Sequence, residues 1–128
     1  LGGAVEWFRR AAEQGHAQTM CNLGYMYENG LGVPKDESRA VEWYRQAAEL
    51  NHAAAQCNLG VMYKNGHGVL KDEAAAVEWY REAAEQGHIV AQFHLGFMYE
   101  NGCGVAKDEI RAIEWYREAA AQGHEEAK

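Results

Sequence analysis

Residues 53–88 read AAAQCNLGVMYKNGHGVLKDEAAAVEWYREAAEQGH, two stretches of helical spacing with a glycine-rich break between them. In the first stretch, helix A, the apolar or small residues Ala55, Leu59, Met62 and Tyr63 recur at the three-and-four spacing of a buried stripe. In the second, helix B, Ala76, Val77, Tyr80, Ala83 and Ala84 share one face, while Glu78, Arg81, Glu82 and Glu85 take the other. Arg81 and Glu85 stand one helical turn apart and are expected to pair. Neither stretch alternates with the period of two that a strand requires. The break has a logic of its own. Gly66 suits the left-handed conformation at a helix stop, Asp72 stands at an N-cap, and Glu73 follows beside the positive end of helix B.

The same unit recurs on both sides. Trp7, Trp43, Trp79 and Trp115 lie 36 residues apart. Residues 41–45 and 77–81 both read VEWYR, and residues 113–117 differ only in Ile113. A fixed period of this size marks a solenoid. The spacing therefore predicts an all-α array of stacked antiparallel helix-turn-helix repeats. Gly15, Gly87 and Gly123 are expected to close the B helices. Asn51, the best non-glycine occupant of that conformation, does so in the second copy.

Residues 1–128 read as a single repeat domain around one continuous core. It comprises a partial repeat holding helix B alone (1–16), three repeats (17–52, 53–88, 89–124) and the start of another (125–128). Ala4 aligns with Ala40, and Leu1-Gly2-Gly3 stands where Glu-Ser-Arg is expected. Neither end carries the polar cap that a solenoid needs. This predicts a piece of a longer array, with uncovered terminal helices that invite end-to-end association between copies.

The net charge of −7 argues against a nucleic-acid surface and against docking on anionic membranes. No apolar run has the length of a membrane span, so no membrane insertion is expected. Cys21 and Cys57 are equivalent positions in adjacent repeats, too far apart for a disulfide, and Cys103 aligns with Leu31 and His67 in a loop. Unpaired cysteines point to a reducing compartment such as the cytoplasm. A signal sequence upstream of these residues would reopen the question of localisation.

The string A-x-x-x-L-G-x-M-Y-x-N-G-x-G-V-x-K-D-E-x-x-A-x-E-W-Y-R-x-A-A closely resembles the Sel-1-like repeat, a relative of the tetratricopeptide repeat. It covers residues 17–52, 53–88 and 89–124. The N-G-x-G-V insertion and the longer period favour it over the tetratricopeptide repeat proper. The resemblance implies a right-handed superhelix of stacked hairpins that acts as an adaptor for other proteins, often in bacterial signalling, envelope or host-contact settings. Some relatives staple each repeat with a disulfide from the end of helix B. Here that place holds Ala12, Ala48, Ala84 and Ala120, so the staple is absent.

Activity against β-lactams has been proposed for some disulfide-bearing relatives, which makes a β-lactam-directed hydrolase a third reading. The residues give it little. Ser38 and Thr19 are the only aliphatic hydroxyls, neither recurs, and Ser38 belongs in the exposed first turn of helix B. No base stands at a telling distance from Cys57. The Gly30-Leu31-Gly32 motif follows a helix rather than a strand and reads as a turn, not a phosphate loop. No catalytic residue and no cofactor is assigned.

In related stacked hairpins helix A lines the concave surface, and 100° per residue divides its positions into two sides. Leu23, Gly24 and Tyr27 and their copies are constant and face helix B. Met26, Met62 and Met98 are also constant and are expected between repeats. The varied side makes the expected site for a protein or peptide partner. From the first repeat it takes Gln18, Cys21, Asn22, Tyr25, Glu28 and Asn29. The second adds Cys57, Asn58, Val61, Lys64 and Asn65, and the third Phe93, His94, Phe97, Glu100 and Asn101. Tyr25, Phe93 and Phe97 are the type of large apolar group that anchors interfaces. Lys64 is its only basic residue, so a clamp for a C-terminal carboxylate is disfavoured. Apolar anchors, Asn donors and an acidic rim suit a neutral-to-basic segment.

His16, His52, His88 and His124 recur once per repeat at the turn entering helix A. Stacked repeats stand about 10 Å apart, whereas a zinc ion needs its ligands at about 2 Å. They read as turn or cap residues, and no metal site is expected. Two functions from other classes stay beside the scaffold: the self-associating array and the enzyme.

Overall fold

The computed structural model describes residues 2–127, with side chains from residue 15 to residue 123. Six helices follow one another with no strand among the described residues: α1 Gly2–Asn29, α2 Glu37–Glu49, α3 Ala53–Asn65, α4 Glu73–Glu85, α5 Ile89–Asn101 and α6 Glu109–Ala127. Each A helix packs on the B helix of its own repeat (α1 on α2, α3 on α4, α5 on α6). Each B helix packs on the next A helix (α2 on α3, α4 on α5). This is the expected all-α solenoid of antiparallel hairpins.

Local chemistry sets the helix ends. Asp36 and Asp72 are extended N-caps whose carboxylates accept from the backbone N–H of Arg39 and Ala75 at 3.2 and 3.1 Å. Asp108 accepts from Arg111 in the same way at 3.0 Å. Such a cap contributes about 1 kcal/mol. Gly66 stops α3 in the left-handed conformation as predicted, and Asn51, at φ 66°, holds the turn that Gly87 holds at 91°.

Gly15 and Gly123 behave otherwise. α1 runs straight through Gly15 and His16, and α6 straight through Gly123 and His124, so the expected turns are not formed there. The reason lies in what fixes the turns that do form. Gln56 and Gln92 donate to the carbonyls of Ala48 and Ala84 at 3.2 and 3.1 Å, satisfying the end of the preceding B helix. Met20 stands in the equivalent place and has no donor to offer. With no glutamine there to cap a turn, continuing the helix through Gly15 satisfies the backbone better than turning, despite the modest cost of an internal glycine. The expected packing of Trp7 and Ala12, and of the side chains of residues 125–128, lies outside the described residues.

Close backbone approach ties the repeats together. A Cβ on Gly24, Gly60 or Gly96 would stand 2.7–2.8 Å from the ring of Tyr44, Tyr80 or Tyr116. The constant L-G and W-Y pairs are therefore two halves of one contact within each hairpin. Between hairpins, a Cβ on Gly68 or Gly104 would stand 2.4 Å from the carbonyl oxygen of Glu37 or Glu73, at the start of the preceding B helix. Both glycines also have positive φ, 77° and 73°. Arg45 donates to the Tyr63 hydroxyl of the next repeat, and Arg81 donates to the Tyr99 hydroxyl at 2.8 Å. Arg81 takes Glu78 as its ion-pair partner, at 3.0 Å, rather than the expected Glu85, because its guanidinium is drawn towards Tyr99.

The buried core has two centres, one built on Ala40, Val41, Tyr44, Leu59 and Met62, the other on Val77, Tyr80, Leu95, Met98 and Tyr99. Tyr63 packs against both. A solenoid buries its apolar surface seam by seam, so each pair of neighbouring repeats makes its own cluster. Met62 and Met98 are buried between repeats as expected, but Met26 is exposed, with no earlier A helix beside it among the described residues.

Candidate functional site

The varied side of the A helices divides into an exposed part and a sealed part. Tyr25, Phe93 and Phe97 are 49, 46 and 42 % exposed, open to contact as the sequence suggested. Gln18, Asn22, Asn29, Asn65, Glu100 and Asn101 are exposed, and Glu28, Asn58, Val61, Lys64 and His94 are half-buried.

Cys21 and Cys57 are corrections. They are 6 and 3 % exposed and cannot touch a partner. Successive A helices approach closely enough to close over them. Asn58 Nδ2 reaches Cys21 Sγ at 3.8 Å, and Cys57 belongs to the second buried cluster. Burial raises both thiol pKa values, that of Cys57 to about 12, which is the wrong direction for a nucleophile.

The asparagines are largely committed to their own helices. Asn29, Asn65 and Asn101 donate to the carbonyls of Tyr25, Val61 and Phe97 at 3.0, 3.1 and 3.0 Å, clasping the last turn of each A helix. Gln18 Nε2 donates to Asn22 Oδ1 at 3.0 Å. Fewer free donors face outward than the sequence suggested.

A feature the sequence reading missed comes from the B helices. The hydroxyls of Tyr44 and Tyr116 donate to Glu28 Oε1 and Glu100 Oε1 at 2.5 and 2.7 Å. Burial comes first in raising the pKa of both tyrosines, followed by the neighbouring carboxylate, and Tyr116 reaches about 12. In the middle repeat the pattern breaks. Lys64 replaces the glutamate, and the Tyr80 hydroxyl is buried with no hydrogen-bond partner. The Lys64 ammonium instead stands 4.4 Å from the centroid of Phe97. His94 stacks on Tyr80 with ring centroids 4.8 Å apart and planes 14° from parallel. Burial, and secondarily the charge of Lys64, lowers the His94 pKa. The signal in the sequence was a constant tyrosine set against a Glu–Lys–Glu variation, unreadable without knowing that the two positions meet.

Of the repeating histidines, His52 and His88 are N-caps as expected, with His88 Nδ1 accepting from the Ala91 N–H at 3.2 Å. His16 lies inside α1 and His124 inside α6. His67, in the α3–α4 loop, pairs across the repeat boundary with Glu37 at 2.8 Å. Among the described residues no three His, Cys, Asp or Glu side chains converge to hold a metal ion. No helix among them is long and apolar enough to cross a membrane. On the B-helix side a hollow of about 430 Å³ lies over Gln92 and Trp115, rimmed by Glu85, Glu114 and Glu118.

The sequence profile of the Sel1 repeat matches residues 3–16, 17–52, 53–88 and 89–124. A protective antigen of uropathogenic Escherichia coli with an SLR fold is 51 % identical, with a TM-score of 0.83, over 94 % of this chain and 26 % of that one. A Sel1 repeat protein from Oxalobacter formigenes is 42 % identical, with a TM-score of 0.81, over 84 % of this chain and 43 % of that one. The chain thus spans less than half the length of either. Cysteine rich protein B of Helicobacter pylori, 24 % identical with a TM-score of 0.71 over 90 % of this chain and 89 % of that one, shares the fold. No curated protein matches the sequence.

Proposed function

This chain belongs to the Sel1 repeat family, whose repeats generally serve as protein-interaction scaffolds, and we propose that its own partner is a peptide segment bound on the varied face of the A helices. The observation that carries the reading is the joint exposure of Tyr25 on α1 and of Phe93 and Phe97 on α5, the A helices of the first and third repeats. Large aromatic groups left open on a rigid face are the usual anchors of an interface. Glu28 and Glu100 give the face an acidic rim, which suits a segment carrying basic residues. The scaffold does its work without chemistry, by presenting a fixed surface.

The test is partner capture by crosslinking mass spectrometry from the source cell. Phe97→Ala and Tyr25→Asp are expected to weaken capture of the same partners without lowering helicity. Retention of every partner by both variants would sink the reading.

Self-association is the second reading, and one observation favours it. Ile113 is 48 % exposed on α6, whereas Val41 and Val77, its equivalents on α2 and α4, are 3 and 1 % exposed beneath the next repeat. A second copy laid against α6 would cover it. Sedimentation should then show a mass that rises with concentration and returns to the monomer in Ile113→Lys. A monomer at high concentration would eliminate this reading.

A further inference from the structure

The middle repeat departs from its neighbours at one point on the A-helix face. In the first and third repeats a carboxylate from helix A, Glu28 or Glu100, accepts the tyrosine hydroxyl of helix B. In the second, Tyr80 is 0 % exposed and its hydroxyl has no acceptor, while Lys64, a residue with donors only, occupies the glutamate's position. A fully buried donor without a partner is rare in native folds and calls for an explanation. Lys64 forms no ion pair among the described residues and rests on the Phe97 ring. Its flexible stem lets the ammonium move without disturbing the backbone. Two donors, one charged and one neutral, thus belong to the place where the flanking repeats hold a carboxylate.

We propose that this place is a subsite for one side-chain carboxylate of an extended partner segment, held by the Lys64 ammonium and reaching the buried Tyr80 hydroxyl from the helix-A side, as Glu28 reaches the equally buried Tyr44. This rests on the peptide-binding reading above and sharpens its chemistry. Glu28 and Glu100 flank Lys64 one repeat to either side, and each keeps a second carboxylate oxygen beyond the one that serves its tyrosine. Each takes a basic residue of the same segment. Repeats stack about 10 Å apart and an extended chain rises about 3.3 Å per residue, so neighbouring charges on the segment stand about three residues apart. The preferred partner carries a basic–acidic–basic pattern at that spacing, with apolar residues between to meet Tyr25, Phe93 and Phe97. Tyr80 remains a protonated donor at neutral pH, because burial raises its pKa. The single lysine that is too little for a clamp on a chain terminus is what one internal carboxylate needs.

The probe is a pair of end-capped fluorescent peptides, Arg-x-x-Glu-x-x-Arg with leucine and alanine at x, and the same peptide with Gln for Glu. Binding is read by fluorescence polarisation on the full chain. The glutamate peptide is expected to bind roughly tenfold tighter than the glutamine peptide, the scale of one charge-assisted contact. Lys64→Met should abolish the difference and Tyr80→Phe should reduce it, with circular dichroism unchanged in both. Phe93→Ala should weaken both peptides alike. Equal binding of the two peptides, an undiminished difference in both Lys64→Met and Tyr80→Phe, or no binding by either peptide overturns the subsite. If the two peptides bind equally but both weaken in Phe93→Ala, the subsite fails while the A-helix face survives. If they bind with no response to Phe93→Ala, the A-helix reading fails with it.

Discussion

Lys64 stands where the flanking repeats place the glutamate that accepts from tyrosine, and its ammonium lies 4.4 Å from the centroid of Phe97, so one tyrosine of three, Tyr80, is left without the acceptor its counterparts have. The three hairpins share a backbone plan, yet the charged face they present is not uniform.

The tyrosines should therefore respond differently to loss of the hydroxyl. Tyr44→Phe removes a hydrogen bond to a carboxylate and is expected to cost about 1–3 kcal/mol. Tyr80→Phe removes only an unpaired buried group and should be neutral or slightly stabilising. Urea unfolding of the two variants side by side checks this, and an equal loss in both would contradict the arrangement.

The loop glycines give a second contrast. Gly32, Gly68 and Gly104 all have positive φ, but only Gly68 and Gly104 press on a neighbouring backbone; a Cβ on Gly32 meets nothing nearer than Met26 Cε at 3.8 Å. Gly32→Ala should cost about 1–2 kcal/mol from conformation alone. Gly68→Ala should cost about 1–3 kcal/mol more, because its new methyl forces the repeats apart. Thermal melts by circular dichroism separate the two.

Thiol accessibility follows burial. Cys103 is half-buried in its loop, whereas Cys21 and Cys57 are sealed and their ionisation is suppressed. A thiol-reactive chromophore at mildly alkaline pH should label one cysteine per folded chain quickly, and all three after unfolding. Rapid labelling of Cys57 in the folded chain would contradict the seam geometry.

Histidine burial sets a pH dependence. His52, His88 and His94 all have folded pKa values below the ordinary 6.5, burial being the first cause in each. The unfolded chain then binds more protons, so stability is full above that value and falls as pH drops through it towards the folded values. Protonation of His88 Nδ1 also ends its acceptance from Ala91. Urea midpoints between pH 7.5 and 5.5 should decline, and less steeply in His88→Asn, which keeps a cap without the titration. A flat profile would contradict the assignment.

Features decided within a few residues were legible in the sequence: the Asp72 cap, the left-handed Gly66 and Asn51, and the period itself. Features decided between hairpins were not. Gly15 and Gly87 share the same local string, yet only the second turns, because Gln92 reaches back to Ala84 where Met20 has nothing to donate. A helical wheel put Cys21 and Cys57 on the open side but carried no information on how closely the next A helix approaches. The exposed aromatics were legible from residue type and phase. The unpaired Tyr80 was hidden because the partner position lies 16 residues away on another helix.

The two buried clusters also place the joints of the molecule. Each is built chiefly from a B helix and the A helix that follows it, so the period of burial runs half a step out of phase with the period of the letters. The chain crosses from one cluster to the other in the α3–α4 loop, at Leu70 91 % exposed, inside a hairpin rather than between two. Adding or removing 36 residues inside the array rejoins positions of the same phase, so each B helix still meets an A helix after it. Adding or removing one internal helix sets two like helices side by side and breaks the pairing at that point. Whole periods are therefore the internal increments that preserve the pairing of each B helix with the A helix that follows it.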